Sequence, residues 1–213
     1  MTHTGHSGKV LVVRIFLSVL ILIFSLQSLS KADDVINFVI EGMSVGDSLL
    51  DYFSKNNIEE EINSKFSYKY KDNKFVKLGV GDTSEYPLFK KLEQYDELGI
   101  TVKPNDKKYI IYGLAGETHC KDNIKKCFSI KDEIIKDLKN LFEDLTVDTW
   151  EEKHPIDKTG KSIVYGNTLS TESINVIFQV SIYDMFSDQY TDAVDVSFRL
   201  KEYTDFIKNE AYQ

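Results

Sequence analysis

Only two cysteines, three prolines and four histidines occur among the 213 residues of this chain, and each shortage removes a class of protein. Two cysteines cannot build a disulfide-dense mini-protein or a four-thiolate zinc site. So few prolines, with no Pro/Gly/Ser-rich tract, exclude a collagen-like or low-complexity chain and leave no visible interdomain linker. Only His119 and His154 lie beyond residue 32, so there is little imidazole to activate a nucleophile. Beyond that residue no apolar run is long enough to span a bilayer. Positive charge is short as well: 26 basic residues face 34 acidic ones, a formal net charge of −8. A surface of that sign repels phosphate backbones and anionic headgroups, so no nucleic-acid partner and no basic-patch membrane contact is expected.

The apolar character that does occur is concentrated at the start. Basic and histidine residues (His3, His6, Lys9, Arg14) lead into IFLSVLILIFSL, and Ser30 and Ala32 stand where an export peptidase reads small residues. Residues 1–32 are expected to be a secretory signal peptide cut between Ala32 and Asp33, which makes the protein exported, periplasmic or extracellular. Left uncut, residues 10–29 would serve as a transmembrane anchor, although Arg14 interrupts that run. After cleavage 23 basic residues remain against 34 acids, a formal charge of −11, and no membrane contact is expected. In an oxidising compartment Cys120 and Cys127, in CKDNIKKC, are expected to form a local disulfide contributing ~2 kcal/mol, a staple between a strand and the next helix. His119 would make a metal pair with Cys120 only if that thiol were free, so no metal residue is assigned.

Two segments carry the helical period. In GMSVGDSLLDYFS, Ser44 and Asp47 stand in the relation of a capping box, with Leu49, Leu50 and Phe53 on one face. In CFSIKDEIIKDLKNLFEDL, Ser129 and Asp132 repeat the S-x-x-D spacing before Ile130, Ile134, Leu138, Leu141 and Phe142. Strand signals follow each helix. FSYKY and KFVKLGV read as one hairpin, LGITVK and KKYIIYGL as another, and SIVYGNTL, SINVIFQVSIYDMF and AVDVSFRL as a three-strand meander before a closing helix, LKEYTDFIKN. The expected fold is a two-layer α+β domain over 33–213, with antiparallel sheet packed against two main helices. Halves 33–118 and 119–213 would be two pseudo-repeated α-β-β units.

Gly46-Asp47-Ser48-Leu49 resembles the signature of a family of serine esterases, whose fold would be a doubly wound α/β sheet. That family also needs a G-x-N-D and a D-x-x-H, and neither is present. Helix capping accounts for the same residues, so no catalytic residue and no cofactor is assigned. The paired acids Asp47/Asp51, Glu59-Glu60-Glu61 and Glu151-Glu152 could bind calcium or flank a sugar, but such runs read first as solvated faces. A hydrolase using Ser48 or a carboxylate pair stands as the alternative to a non-enzymatic protein.

The stretch Ile40 to Phe53, IEGMSVGDSLLDYF, resembles the opening of a set of uncharacterised exported bacterial proteins. These share the YIIYGLAG-type strand and a cysteine leading into a helix like that of Glu133 to Phe142. Gly42-Met43-Ser44 is also similar to the helix starts of the two-layer modules of outer-membrane assembly lipoproteins and of β-lactamase inhibitory protein. The second resemblance implies helices packed on an antiparallel sheet. It also implies a protein that works by binding, here an envelope protein partner or a small ligand.

Overall fold

The sequence alternates along one long antiparallel sheet. The structure is a computed structural model and describes residues 38–79, 92–121, 123–186 and 190–211. The expected signal segment and its Ala32–Asp33 junction lie outside the described residues. The elements in chain order are β1 (Val39–Ile40), β2 (Met43–Ser44), α1 (Lys55–Ile62), β3 (Tyr68–Lys69), β4 (Val76–Leu78), β5 (Glu97–Val102), β6 (Ile111–His119), α2 (Ile124–Leu141), β7 (Thr146–Lys153), β8 (Ile163–Ser170), β9 (Val176–Asp184), β10 (Ala193–Leu200) and α3 (Lys201–Asn209). The β1–β2 hairpin stands apart, and eight strands form one sheet in the order β3-β4-β5-β6-β10-β9-β8-β7. Every pairing is antiparallel.

This is the expected α+β class, a large antiparallel sheet served by two main helices and a short closing one. Each half has a helix followed by a four-stranded meander, so the unit is α-β-β-β-β rather than α-β-β. The halves join through β6 and β10, the last strand of each meander.

One face of the sheet is apolar because the strands alternate. Phe178, Val180 and Ile182 of β9 lie opposite Phe198, Val196 and Val194 of β10, and Leu98 and Ile100 of β5 opposite Gly116 and Leu114 of β6. Helix α2 packs on β9 and β10. Phe38, Phe142, Phe178 and Phe198 interlock beneath it, with Phe38 and Phe178 edge to face at 4.6 Å. Gly116 lies under the Tyr95 ring, where a Cβ would sit 2.6 Å from ring carbon. On the opposite face, α3 closes one end of the sheet through Tyr203 and Phe206, which bury Tyr70 and Phe75. The Tyr70 and Tyr203 hydroxyls share a buried hydrogen bond of 2.7 Å.

Two local expectations are corrected. Residues 42–54 do not form one helix. Glu41 (φ 51°) and Gly42 (φ 81°) make the two-residue loop of the β1–β2 hairpin, matching the positive φ that a type I′ turn demands at both centres. Ser44 and Asp47 then close a second turn. Asp47 N–H donates to the Ser44 carbonyl, Ser44 N–H donates to Asp47 Oδ2 at 3.0 Å, and Gly46 (φ 93°) occupies the position that needs positive φ. The half of the box that reaches back from Asp47 is present, but it fastens a turn because Gly46 breaks the helical register and donates to Ile111 of the sheet. Helix α1 begins at Lys55, capped by Ser54.

Ser129 and Asp132 do not cap α2 either. The helix starts earlier, with Asn123 accepting from Lys126 N–H, and both residues sit inside it on exposed positions. Asparagine is as good a cap as serine, so the upstream one takes the role. Strand β7, on the sheet edge, is not assigned from the sequence. Its Asp148, Glu151, Glu152 and Lys153 hide the alternation.

Candidate functional site

The second face of the sheet is polar, yet much of it is buried. Antiparallel register sets it out in rows. Glu97 of β5 pairs with Glu117 of β6, Glu117 with Asp195 of β10, and Asp195 with Ser181 of β9. Three carboxylates therefore stand side by side on three central strands. Like charges directly opposite one another destabilise a sheet, so this row is not a product of fold stability.

Asp195 is the most constrained of the three. It is only 8% exposed and makes no hydrogen bond or ion pair among the described residues. Burial pushes its carboxyl up to about 6, and Glu117 adds to the rise while Lys77 and Arg199 oppose it. The negative charge of Asp195, with burial, holds the Tyr183 phenol far above its ordinary value. Two residues along β10, Ser197 is 2% exposed and its hydroxyl oxygen has no hydrogen-bond partner among the described residues.

Both residues line a cavity of about 80 Å³, together with Lys77, Arg199, Tyr183 and Tyr203. The space exists because the floor is small. Gly99 lets the Lys77 side chain lie across β5, and Gly113 lets the Tyr203 ring approach, where a Cβ would sit 2.5 Å and 2.9 Å from them respectively. The cavity has room for several water-sized groups. It offers two cations, one acid and several hydroxyls.

At the rim, His119 projects from the same face as Glu117, two residues along β6. Its Nε2 lies 3.4 Å from Glu97 Oε1 and 3.5 Å from Glu117 Oε1, and all three side chains are 23–29% exposed. The hydrogen bond to Glu117 raises the imidazole pKa against the opposing effect of burial. His119 N–H is fixed by Asp96 Oδ2 at 2.7 Å. His154, just past β7, stacks edge-on against Tyr183 at 5.3 Å and accepts from Ile156 N–H through Nδ1; burial lowers its pKa. Both histidines beyond residue 32 thus flank the acidic row.

The other sequence-selected residues fall elsewhere. Cys120 and Cys127 are bonded, with Cα atoms 5.8 Å apart, and join the end of β6 to the first turns of α2. His119 therefore meets two glutamates, not Cys120. Ser48 does not stand after a buried strand. Its hydroxyl donates to the Lys108 carbonyl at 2.6 Å and accepts from Leu50 N–H, which makes it the cap of a short 3₁₀ turn. Neither His119 nor His154 makes a hydrogen bond to it among the described residues. Of the acidic pairs, Glu59 accepts from the Tyr109 hydroxyl, and Glu61 is fully buried, with its pKa raised by burial.

Sequence reading missed Glu97, Glu117, Asp195, Lys77 and Arg199. The signal was present in β10, where Ala193, Asp195, Ser197 and Arg199 alternate with Val194, Val196 and Phe198. That pattern reads as a solvated outer face until the strand is known to be central. No known protein family, no curated protein and no solved structure matches this chain.

Proposed function

We propose that this is an exported, non-enzymatic binding protein of the bacterial envelope, and that its polar sheet face takes a small ligand. The ligand carries an anionic group for Lys77 and Arg199 and a hydrogen-bond donor for Asp195, as an amino acid or a hydroxy acid does. One observation carries the reading: among the described residues Asp195 and Ser197 are buried without side-chain hydrogen-bond partners, in a cavity that also holds two cations. Leaving polar groups unsatisfied costs stability, and a bound ligand offsets that cost. Export is supported by the Cys120–Cys127 disulfide and by the acidic charge. Among the described residues no helix is long and apolar enough to cross a membrane. An envelope protein partner would then act through, or compete for, the same face.

The test is thermal unfolding of the protein against millimolar panels of amino acids and hydroxy acids. A saturable rise in melting temperature with one member, lost in Arg199→Ala, is expected. A panel without effect, or a rise that survives Arg199→Ala, would sink the proposal. The second reading, hydrolysis by a carboxylate pair, is favoured by Asp195 near pKa 6 beside Glu117 on the neighbouring strand. Turnover of the bound compound, absent in Asp195→Asn, would establish it.

A further inference from the structure

We propose that Glu97, Glu117 and His119 form a binding site for one divalent transition-metal ion at the rim of the polar face. The inference goes beyond the cavity ligand; its three donors are different side chains, and Asp195 alone is shared between the two.

The first argument is spacing. Ligand atoms ~2.0–2.1 Å from a tetrahedral ion lie roughly 3.3–3.4 Å from one another. The His119 Nε2 separations from the two glutamate oxygens, 3.4 and 3.5 Å, meet that requirement without movement of the backbone. All three donor atoms lie within 4.8 Å of one another. They come from two central strands in fixed register, which is the rigid support a metal centre needs.

The second argument is independent of these donors. Asp195, opposite Glu117 in the same row, is more than nine-tenths buried and unpartnered among the described residues. Glu117 stands between the carboxylates of Glu97 and Asp195 on the neighbouring strands, and no Lys or Arg ion pair reaches Glu117 or Asp195 among the described residues. A dication held by Glu97, Glu117 and His119 would relieve the repulsion between neighbouring carboxylates along the row. One imidazole nitrogen with two carboxylate oxygens suits zinc, manganese or ferrous iron better than calcium or magnesium, which prefer all-oxygen cages. Three protein ligands leave a further coordination position open. Asp195 then acts as an outer partner of the ion.

The experiment uses the untagged full chain with its disulfide intact, stripped with chelator and titrated with Zn2+ by calorimetry and with Co2+ by visible absorption. One ion per chain is expected, with the intense d–d bands of a four-coordinate N/O site. His119→Ala and Glu117→Gln, each checked for native circular dichroism, are expected to weaken binding at least ~100-fold. Asp195→Asn is expected to weaken it about 10-fold. His154→Ala, whose ring lies across the face on Tyr183, is expected to bind as the parent does. Wild-type affinity in both His119→Ala and Glu117→Gln would overturn the site, as would no saturable uptake or a stoichiometry other than one. In those cases the three residues are an ordinary ion-pair cluster. A metal bound normally with no small ligand accepted would refute the cavity reading alone.

Discussion

Replacing Asp195 with asparagine should make this protein more stable, and the size of the gain follows from its position. The carboxyl is buried on β10 between Glu117 and Ser181 and has no hydrogen bond among the described residues. Its pKa of about 6 compares with ~3.9 for an aspartate in an unfolded chain, and each pKa unit is worth ~1.4 kcal/mol. A group raised in this way stabilises nothing at neutral pH. Its ionised form costs the fold about 3 kcal/mol at pH 7.5, and the penalty shrinks to about 1 kcal/mol at pH 4.5 as the native carboxyl takes up its proton. Asparagine keeps the shape and removes the charge. Urea denaturation of chelator-treated protein at the two pH values should therefore show Asp195→Asn ahead by ~3 kcal/mol at pH 7.5 and by only ~1 kcal/mol at pH 4.5. The variant should also lose any ligand-dependent stabilisation, the exchange of stability for function that a site residue makes. A variant no more stable than the parent at pH 7.5, or a gap independent of pH, would refute both the burial argument and the role given to Asp195.

Three further predictions follow from the packing. Replacing Cys120 and Cys127 together with serine should cost ~2 kcal/mol, seen as a fall of roughly 4–8 °C in melting temperature, because the bridge closes a short loop at the start of α2; an unchanged melting temperature would show that the bridge adds nothing. Phe206→Ala should cost about 3–5 kcal/mol in urea denaturation, since this ring is 2% exposed against Tyr70, Phe75 and Tyr203, and a loss below ~1 kcal/mol would mean that α3 is not anchored there. Asp157 holds the β7–β8 loop by accepting from the Thr159, Lys161 and Ser162 N–H groups and the Ser162 hydroxyl, and the Thr159 and Ser162 bonds hold its carboxyl well below the usual range. Its contribution is present above pH ~4 and fades as pH falls toward the depressed native value, so Asp157→Asn should flatten the acid limb of a stability–pH curve, and an identical limb would exclude it.

The fold was legible wherever one face of an element meets the core. In β4, β5, β9 and β10 Val, Ile, Leu or Phe recurs at every second position, and α2 shows a period near 3.6 through Cys127, Lys131, Ile134, Leu138 and Phe142. Where a second signal competed, reading failed. The S-x-x-D spacing at Ser44 and Ser129 occurs in turns and on exposed helix faces as readily as at caps, and only the flanking residues decide. Gly42 and Gly46 decide for turns in the first case, and Asn123 moves the helix start upstream in the second. Strand β7 lies on an edge, where burial imposes no alternation to read.

The candidate site was hidden for a different physical reason. Glu97, Glu117 and Asp195 are 20 and 78 residues apart in sequence, and they become neighbours only through the registers of β5 with β6 and of β6 with β10. Register between β5 and β6 belongs to a hairpin and can be guessed locally. The β6–β10 pairing joins the two halves of the chain and has no local signature. It turns the polar alternation of AVDVSFRL from a solvated face into a buried one. A charge on a central strand, placed opposite another of the same sign, persists only at a cost, and that cost is what marks the row as a site. The same reasoning separates this row from Ser48. The serine's hydroxyl is fully used in closing a turn, whereas Asp195 and Ser197 present polar atoms for which the described fold itself supplies no partner.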